Sequence, residues 1–287
     1  TVFKEEPYSI QGKEALTRLL STQPNIHCLA RIPVNLEILC SMFLDEETVT
    51  SPLQTLTSLY EGMMLSILRR YVKKTTKKKP SGSLTGVISQ LQFQEKGISY
   101  LEELAFTAMQ KQSLIFRPIK TLPNGIPYDD EIAFLQEVFN LGFTKRTSER
   151  DNKFQEEHLF FHLTVQEFFA ARYLARSIAC DLPIDGKEWK QFIQEHKFSS
   201  RFSIVFRFTA GLLVPHPDKL NEFLSTVIEE PHSALRMHEV ALAAHCLDEV
   251  PLNFCLASQK EIVSHVRKLI QLYCDDPLRL GYRRGDT

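Results

Sequence analysis

A chain of 287 residues, 43% hydrophobic and 24% charged, has ample material for a buried core, so neither disulfides nor structural metals are required to hold it together. Lys and Arg total 34 against 35 Asp and Glu, and the resulting net charge of -1 supplies no whole-chain field that would gather nucleic acid or anionic lipid. Phe is frequent at 20 and Gly scarce at 11, which suits packed helices better than loop-built sites and predicts a mainly α fold.

The first helical stripe is Ala15, Leu16, Leu19 and Leu20, within a helix expected over Gln11–Leu20. After a polar break comes PNIHCLARIPVNLEILCSMF. Pro33 lacks an amide hydrogen and crowds the preceding turn, so it belongs in the first turn of a helix Val34–Phe43, with Arg31 and Ile32 as the joint. Glu46–Pro52 is polar and expected to link. Leu53–Tyr71 carries Leu56, Leu59, Tyr60, Met63, Met64, Ile67 and Leu68 on one broad face, an amphipathic helix capped at Thr55 or Thr57. The basic stretch KKTTKKKPSGSL has no interleaved aromatics and is expected to be a solvated loop.

A helix over Ile98–Gln112 follows, then an extended Leu114–Ile119, a turn at Pro123, Asn124, Gly125 and Pro127, and a helix Asp129–Leu141. That helix is capped by Asp129 or Asp130 and stopped by Gly142. The period then changes: Phe143–Arg146 and His158–Phe161 are short strands around the polar insert TSERDNKFQEE, a hairpin or wing. It leads into the helix Val165–Ala179. Further helices are expected at Asp185–Glu195, which holds the single Trp189, and at Phe202–Leu213, Pro217–Glu229, Ser233–Leu247 and Ile262–Tyr273, an irregular helical stack. The tail DPLRLGYRRGDT is turn-rich.

The six cysteines, Cys28, Cys40, Cys180, Cys246, Cys255 and Cys274, lie far apart in apolar or helical stretches without a CxxC pair, and buried free thiols in a reducing, cytoplasmic compartment are expected. The sequence contains no secretory signal and no apolar run long enough to span a bilayer. It opens at Thr1 in mid-pattern, as an excised fragment would.

Motifs for chemistry are missing from the sequence. It has no GxxxxGK[ST] phosphate cradle, and Gly82 and Gly86 in SGSLTGV are not followed by the required Lys; HExxH, GxSxG and EF-hand loops are missing as well. His238 and His245 stand two turns apart beside Cys246, but nothing at recognisable spacing supplies the other ligands a zinc ion wants. The pairs Asp129/Asp130 and Glu156/Glu157 are expected to be exposed, solvating or capping helices. No enzymatic activity is therefore expected. His162 differs by position: it ends an apolar strand and precedes a helix, so its imidazole stands beside free backbone amides, where it either caps the local backbone or holds a phosphate oxygen.

FFHLTVQEFFAARYLARSI, Phe160–Ile178, closely resembles the segment of NOD-like receptors, the NACHT branch of the STAND nucleotide-binding proteins, that ends the winged-helix domain and begins the second helical domain. LARIPVNLEILCSMF, Leu29–Phe43, resembles the end of their first helical domain; LTSLYEGMMLSILRR, FSIVFRFTAGLL and ALAAHCLDE match later helices in the expected order. The resemblance implies three regions: 1–49, the end of a first helical domain; 50–164, a winged-helix domain; and 165–287, a second helical domain. It implies that His162 contacts the β-phosphate of ADP, and that Pro33 packs against adenine with Ile32 and Leu36 nearby. It further implies that the ATPase core holding ADP or ATP would lie before Thr1 and a repeat-type sensing region after Thr287. The implied role is autoinhibitory regulation in innate-immune signal transduction, with those two regions and other proteins as partners.

Two other readings stand beside it. One is a helical protein-interaction scaffold working through Trp189–Tyr273 without response to nucleotide. The other is nucleic-acid binding by the winged-helix unit, disfavoured because Val165–Ala179, taken as the reading helix, is mostly apolar.

Overall fold

The computed structural model describes residues 7–43, 53–76, 84–119, 131–148, 150, 153–230, 237–250, 260, 262–264 and 267. Two compact units emerge, Thr1–Tyr173 and Leu174–Thr287. The fold is mainly α with one small antiparallel sheet, as the composition and periodicity predict.

In the first unit, α1 (Pro7–Thr22), α2 (Pro24–Leu29) and α3 (Pro33–Phe43) pack on one another, and α3 packs on α4 (Leu56–Thr76). Pro24 and Pro33 each occupy a first helical position, where the missing N–H leaves no bond unmade. The start of α4 is a reciprocal cap. The Thr55 hydroxyl accepts the Ser58 amide at 3.1 Å and the Ser58 hydroxyl accepts the Thr55 amide at 3.0 Å, which settles the cap at Thr55. Next come α5 (Leu84–Gln110) and α6 (Glu131–Asn140), which is followed by Gly142 at φ +102, a left-handed conformation that costs glycine little.

Strands β1 (Thr144–Ser148) and β2 (Glu157–Phe160) pair antiparallel with Thr144 opposite Phe160 and Arg146 opposite His158; the register shifts between Arg146 and Ser148. On its other side His158 bridges Phe116 through two backbone bonds of 2.9 Å. Strand β2 is thus flanked by β1 and by Phe116, which lies between α5 and α6 in the chain. Helix α7 (Leu163–Ala179) follows, and Phe169 closes on Phe143 at 4.9 Å and on Phe160 at 5.5 Å.

The second unit stacks α8 (Trp189–His196), α9 (Ser200–Leu212), α10 (Pro217–Ile228) and α11 (Met237–Leu247). Its core is a run of rings, Phe192, Phe202, Phe206 and Phe223, with successive centroids 5.4, 6.0 and 6.1 Å apart. Each such side chain taken fully from water contributes about 1.5–3 kcal/mol. Polar ties finish the helix ends: Gln194 donates to the Thr226 carbonyl at 3.0 Å, the fully buried Lys197 donates to the Glu229 carbonyl, and Arg207 meets the buried Glu249 at 2.6 Å.

Several expectations are corrected. Residues 185–188 are not helical, because Asp185 at φ 51 and Gly186 at φ 75 hold a left-handed turn, and α8 starts only at Trp189. Residues Lys73–Thr76, expected in a loop, complete α4; residues 77–83 lie outside the described residues. Cys28 and Cys180 are exposed rather than buried, since each sits at the end of a helix whose apolar face points elsewhere. Glu156 is buried rather than solvated, drawn in beside Arg146 and His158. The linker Glu46–Pro52, the turn at 123–127, Asp129 and Asp130, Cys255, Cys274 and the tail lie outside the described residues, as does most of Ile262–Tyr273.

Candidate functional site

Pro33 opens α3 and is exposed, as are its neighbours Ile32 at 51% and Leu36 at 39%. One helical step on, the side chain faces inward: Asn35 is buried, donates through Nδ2 to the Leu29 carbonyl at 3.1 Å and accepts through Oδ1 from the Tyr60 hydroxyl at 3.0 Å. Tyr60, fully buried on α4, rests its ring 5.7 Å from that of Phe168 on α7. Burial pushes its phenol up to about 12; a hydrogen bond with the Thr164 side chain acts in the opposite direction, and the Glu167 charge adds to the rise.

Thr164 lies in the first turn of α7, and His162 is the residue that caps this turn. The His162 carbonyl accepts from the Val165 amide at 3.1 Å and from the Gln166 amide at 3.3 Å, while its ring Nδ1 accepts the Thr164 amide at 3.1 Å. The Thr164 hydroxyl is 3.0 Å from the same nitrogen. An amide N–H can only donate, so Nδ1 is the acceptor and the neutral ring carries its proton on Nε2. The ring is exposed, and neither Phe160 nor Phe168, both buried, seals it. It therefore presents an N–H donor at a helix start whose Thr164, Val165 and Gln166 amides it already caps, and that donor suits an acceptor or an anion.

The two residues singled out from sequence thus stand at the exposed starts of α3 and α7, with Asn35 and Tyr60 bonded to each other beside the first and Thr164 bonded to His162 at the second. These three partner residues were not identified from sequence. The available signals were an Asn two residues after a helix-starting Pro in an otherwise apolar stripe, and a Tyr on a fully buried face, whose hydroxyl needs a partner. Deeper along α7, Glu167 has its carboxyl raised to about 7 by burial, and Arg172 pairs with the buried Glu102 at 2.9 Å.

A second polar cluster lies under the wing. A cavity of about 460 Å³ is lined by Phe139, Asn140, Thr144, Arg146, Glu156 and His158. There Glu156 meets Arg146 at 3.4 Å and His158 at 3.8 Å, and the His158 ring stacks on Phe139 with centroids 3.8 Å apart. In the second unit His245 is exposed and pairs with Asp248 at 3.6 Å, whereas Cys246 is buried with its thiol pushed well up by desolvation, so the two do not face a common ligand. Among the described residues no three His, Cys, Asp or Glu side chains converge as a metal site, and no helix is long and apolar enough to cross a membrane.

No protein-family model matches the chain, and no curated protein matches it.

Proposed function

We propose that this region is the autoinhibitory part of a NACHT-type, nucleotide-dependent switch protein, closing over ADP held by an ATPase core that belongs to the same longer protein. The carrying observation is that Pro33 and His162 are both exposed at helix starts, His162 capping α7 through Nδ1 and leaving Nε2 open to a ligand. In this reading the apolar Ile32, Pro33 and Leu36 face the base, and the His162 Nε2–H donates to a phosphate oxygen. Because that bond exists only in the closed state, bound ADP biases the protein toward closure by the free energy of the contact.

The partners in this proposal are the ATPase core and a sensing region, and the compartment is the cytoplasm, which fits the free thiols exposed at Cys28 and Cys180. A scaffold indifferent to nucleotide would need the imidazole only as the cap of α7, leaving its Nε2 without a role. Nucleic-acid reading is disfavoured by α6, whose exposed Ile132, Ala133, Gln136, Glu137 and Asn140 include no Lys or Arg.

The test uses the longer protein with its ATPase core. His162→Ala is expected to lower ADP retention, followed with a fluorescent ADP analogue, and to raise spontaneous oligomerisation. Unchanged retention and unchanged assembly would overturn the proposal.

A further inference from the structure

Phe116 commits both its main-chain groups to His158, N–H and carbonyl alike at 2.9 Å, so it stands in a hydrogen-bonded antiparallel pair with β2. In such a pair the flanking residues turn their N–H and carbonyl to the opposite side, and Arg117 therefore directs its own away from β2. Pro118, next in the chain, lacks an N–H on the side facing β2, which ends the ladder without blunting the outer edge. Ile119, on the outer side again, accepts the Tyr100 hydroxyl through its carbonyl at 3.0 Å, so that outer side looks toward α5. Within the described residues neither the N–H nor the carbonyl of Arg117 is bonded. It is an open sheet edge.

Between this edge and α5 lies a groove of about 510 Å³. Leu104, Ala108, Phe116 and Pro118 line it with apolar surface, and Ile115 is left 48% exposed. Its charged lining residues are Lys111, Arg117 and Glu157. Arg117 and Glu157 satisfy each other at 2.7 Å, whereas the exposed Lys111 makes no ion pair among the described residues. The groove thus offers unmet main-chain groups, an apolar wall and one uncompensated cation.

We propose that this groove binds an extended, acidic peptide segment of another protein by strand addition. The peptide main chain bonds the N–H and carbonyl of Arg117, an aliphatic side chain covers Leu104 and Ala108, and a carboxylate meets Lys111. A helical partner has no free main-chain groups along its length to offer an edge, and a basic one meets Lys111 with like charge. Leu104, Ala108 and Lys111 share one face of α5, so the apolar and basic contacts follow one another along the groove. An aliphatic residue two places from an acidic one turns both toward that face. This surface is separate from Pro33 and His162, and nucleotide has no part in it.

The test presents the 287-residue chain, without nucleotide, to a displayed library of random decapeptides. Peptides with an aliphatic and an acidic residue two places apart are expected to be enriched, and a synthetic copy of the most enriched one is titrated by fluorescence anisotropy. Arg117→Pro removes the edge N–H, and Phe116, already extended, accepts a following proline. Arg117→Ala loses the same side chain but keeps the N–H, and should bind about fivefold more tightly than Arg117→Pro, the weight of one net hydrogen bond. Lys111→Glu should turn the library consensus from acidic to basic. Thr107→Trp, which fills the groove from α5 without touching the edge, should abolish binding and decides the matter if Arg117→Pro folds poorly. The proposal is overturned by a library without a consensus, by a consensus that stays acidic against Lys111→Glu, or by binding indifferent to Thr107→Trp. Equal affinity of the two Arg117 variants overturns it too, as does self-association that Arg117→Pro abolishes, since the edge would then belong to a second copy.

Discussion

The two units bury polar groups for different ends. In the second unit several buried polar contacts finish a helix end or pair a charge: Gln194 and Lys197 bond carbonyls at the end of α10, and Arg207 neutralises Glu249. Remove those ties and what remains is an apolar stack of Phe rings. In the first unit polar contacts join elements far apart in the chain: Asn35 on α3 bonds Tyr60 on α4, 25 residues away, and Glu102 on α5 pairs with Arg172 on α7. One unit is built to stay as it is. The other ties its helices to one another through buried polar side chains.

If that contrast is sound, the largest loss of stability comes from the ring stack. Phe206→Ala is expected to cost about 3–5 kcal/mol, because Phe206 is fully buried between Phe202 and Phe223. Urea unfolding followed by the emission of Trp189, the single tryptophan and itself in that unit, checks it; a shift under about 1 kcal/mol would mean the stack is loosely packed.

The next effect belongs to the first unit and depends on pH. Burial raises the Glu167 carboxyl from the ordinary value of 4.5 to about 7, so the folded state binds a proton that the unfolded state has released. The contribution is complete below the unfolded value and is lost as pH rises toward about 7, by on the order of 2–3 kcal/mol. Glu167→Gln should flatten this slope, measured as the urea midpoint from about pH 5 to pH 7.5 relative to the parent chain. The smallest effect is at the surface. His162→Ala removes a helix cap and should cost only about 0.5–1 kcal/mol, and His162→Asn, which caps well, should recover most of it. A much larger loss would mean that His162 is structural and the contrast between the units is false.

Most of the fold could be read from the sequence because the signals were local. Pro33 and Pro217 mark helix starts, Gly142 a helix end, Thr55 a cap, and the alternation around His158 a strand. Errors arose where local pattern gave way to backbone conformation or tertiary pull. Asp185 reads as an ordinary helix-start residue, yet its positive φ delays α8 to Trp189. Glu156 sits in a polar run and looks solvated, yet pairing with Arg146 and His158 draws it inside. Pro33 and His162 stood out by position, whereas the bond between Asn35 and Tyr60 could not, because the two are 25 residues apart and only folding brings them together.

Gly62 leaves room on α4 for the end of the Met42 side chain from α3. A Cβ at that position would stand 2.5 Å from the Met42 methyl, and Met42 is itself buried. That methyl is the far end of a flexible side chain and the next atoms stand at 3.5 and 3.6 Å, so a methyl group added at Gly62 would be met by a turn of the Met42 side chain and not by a parting of the helix backbones.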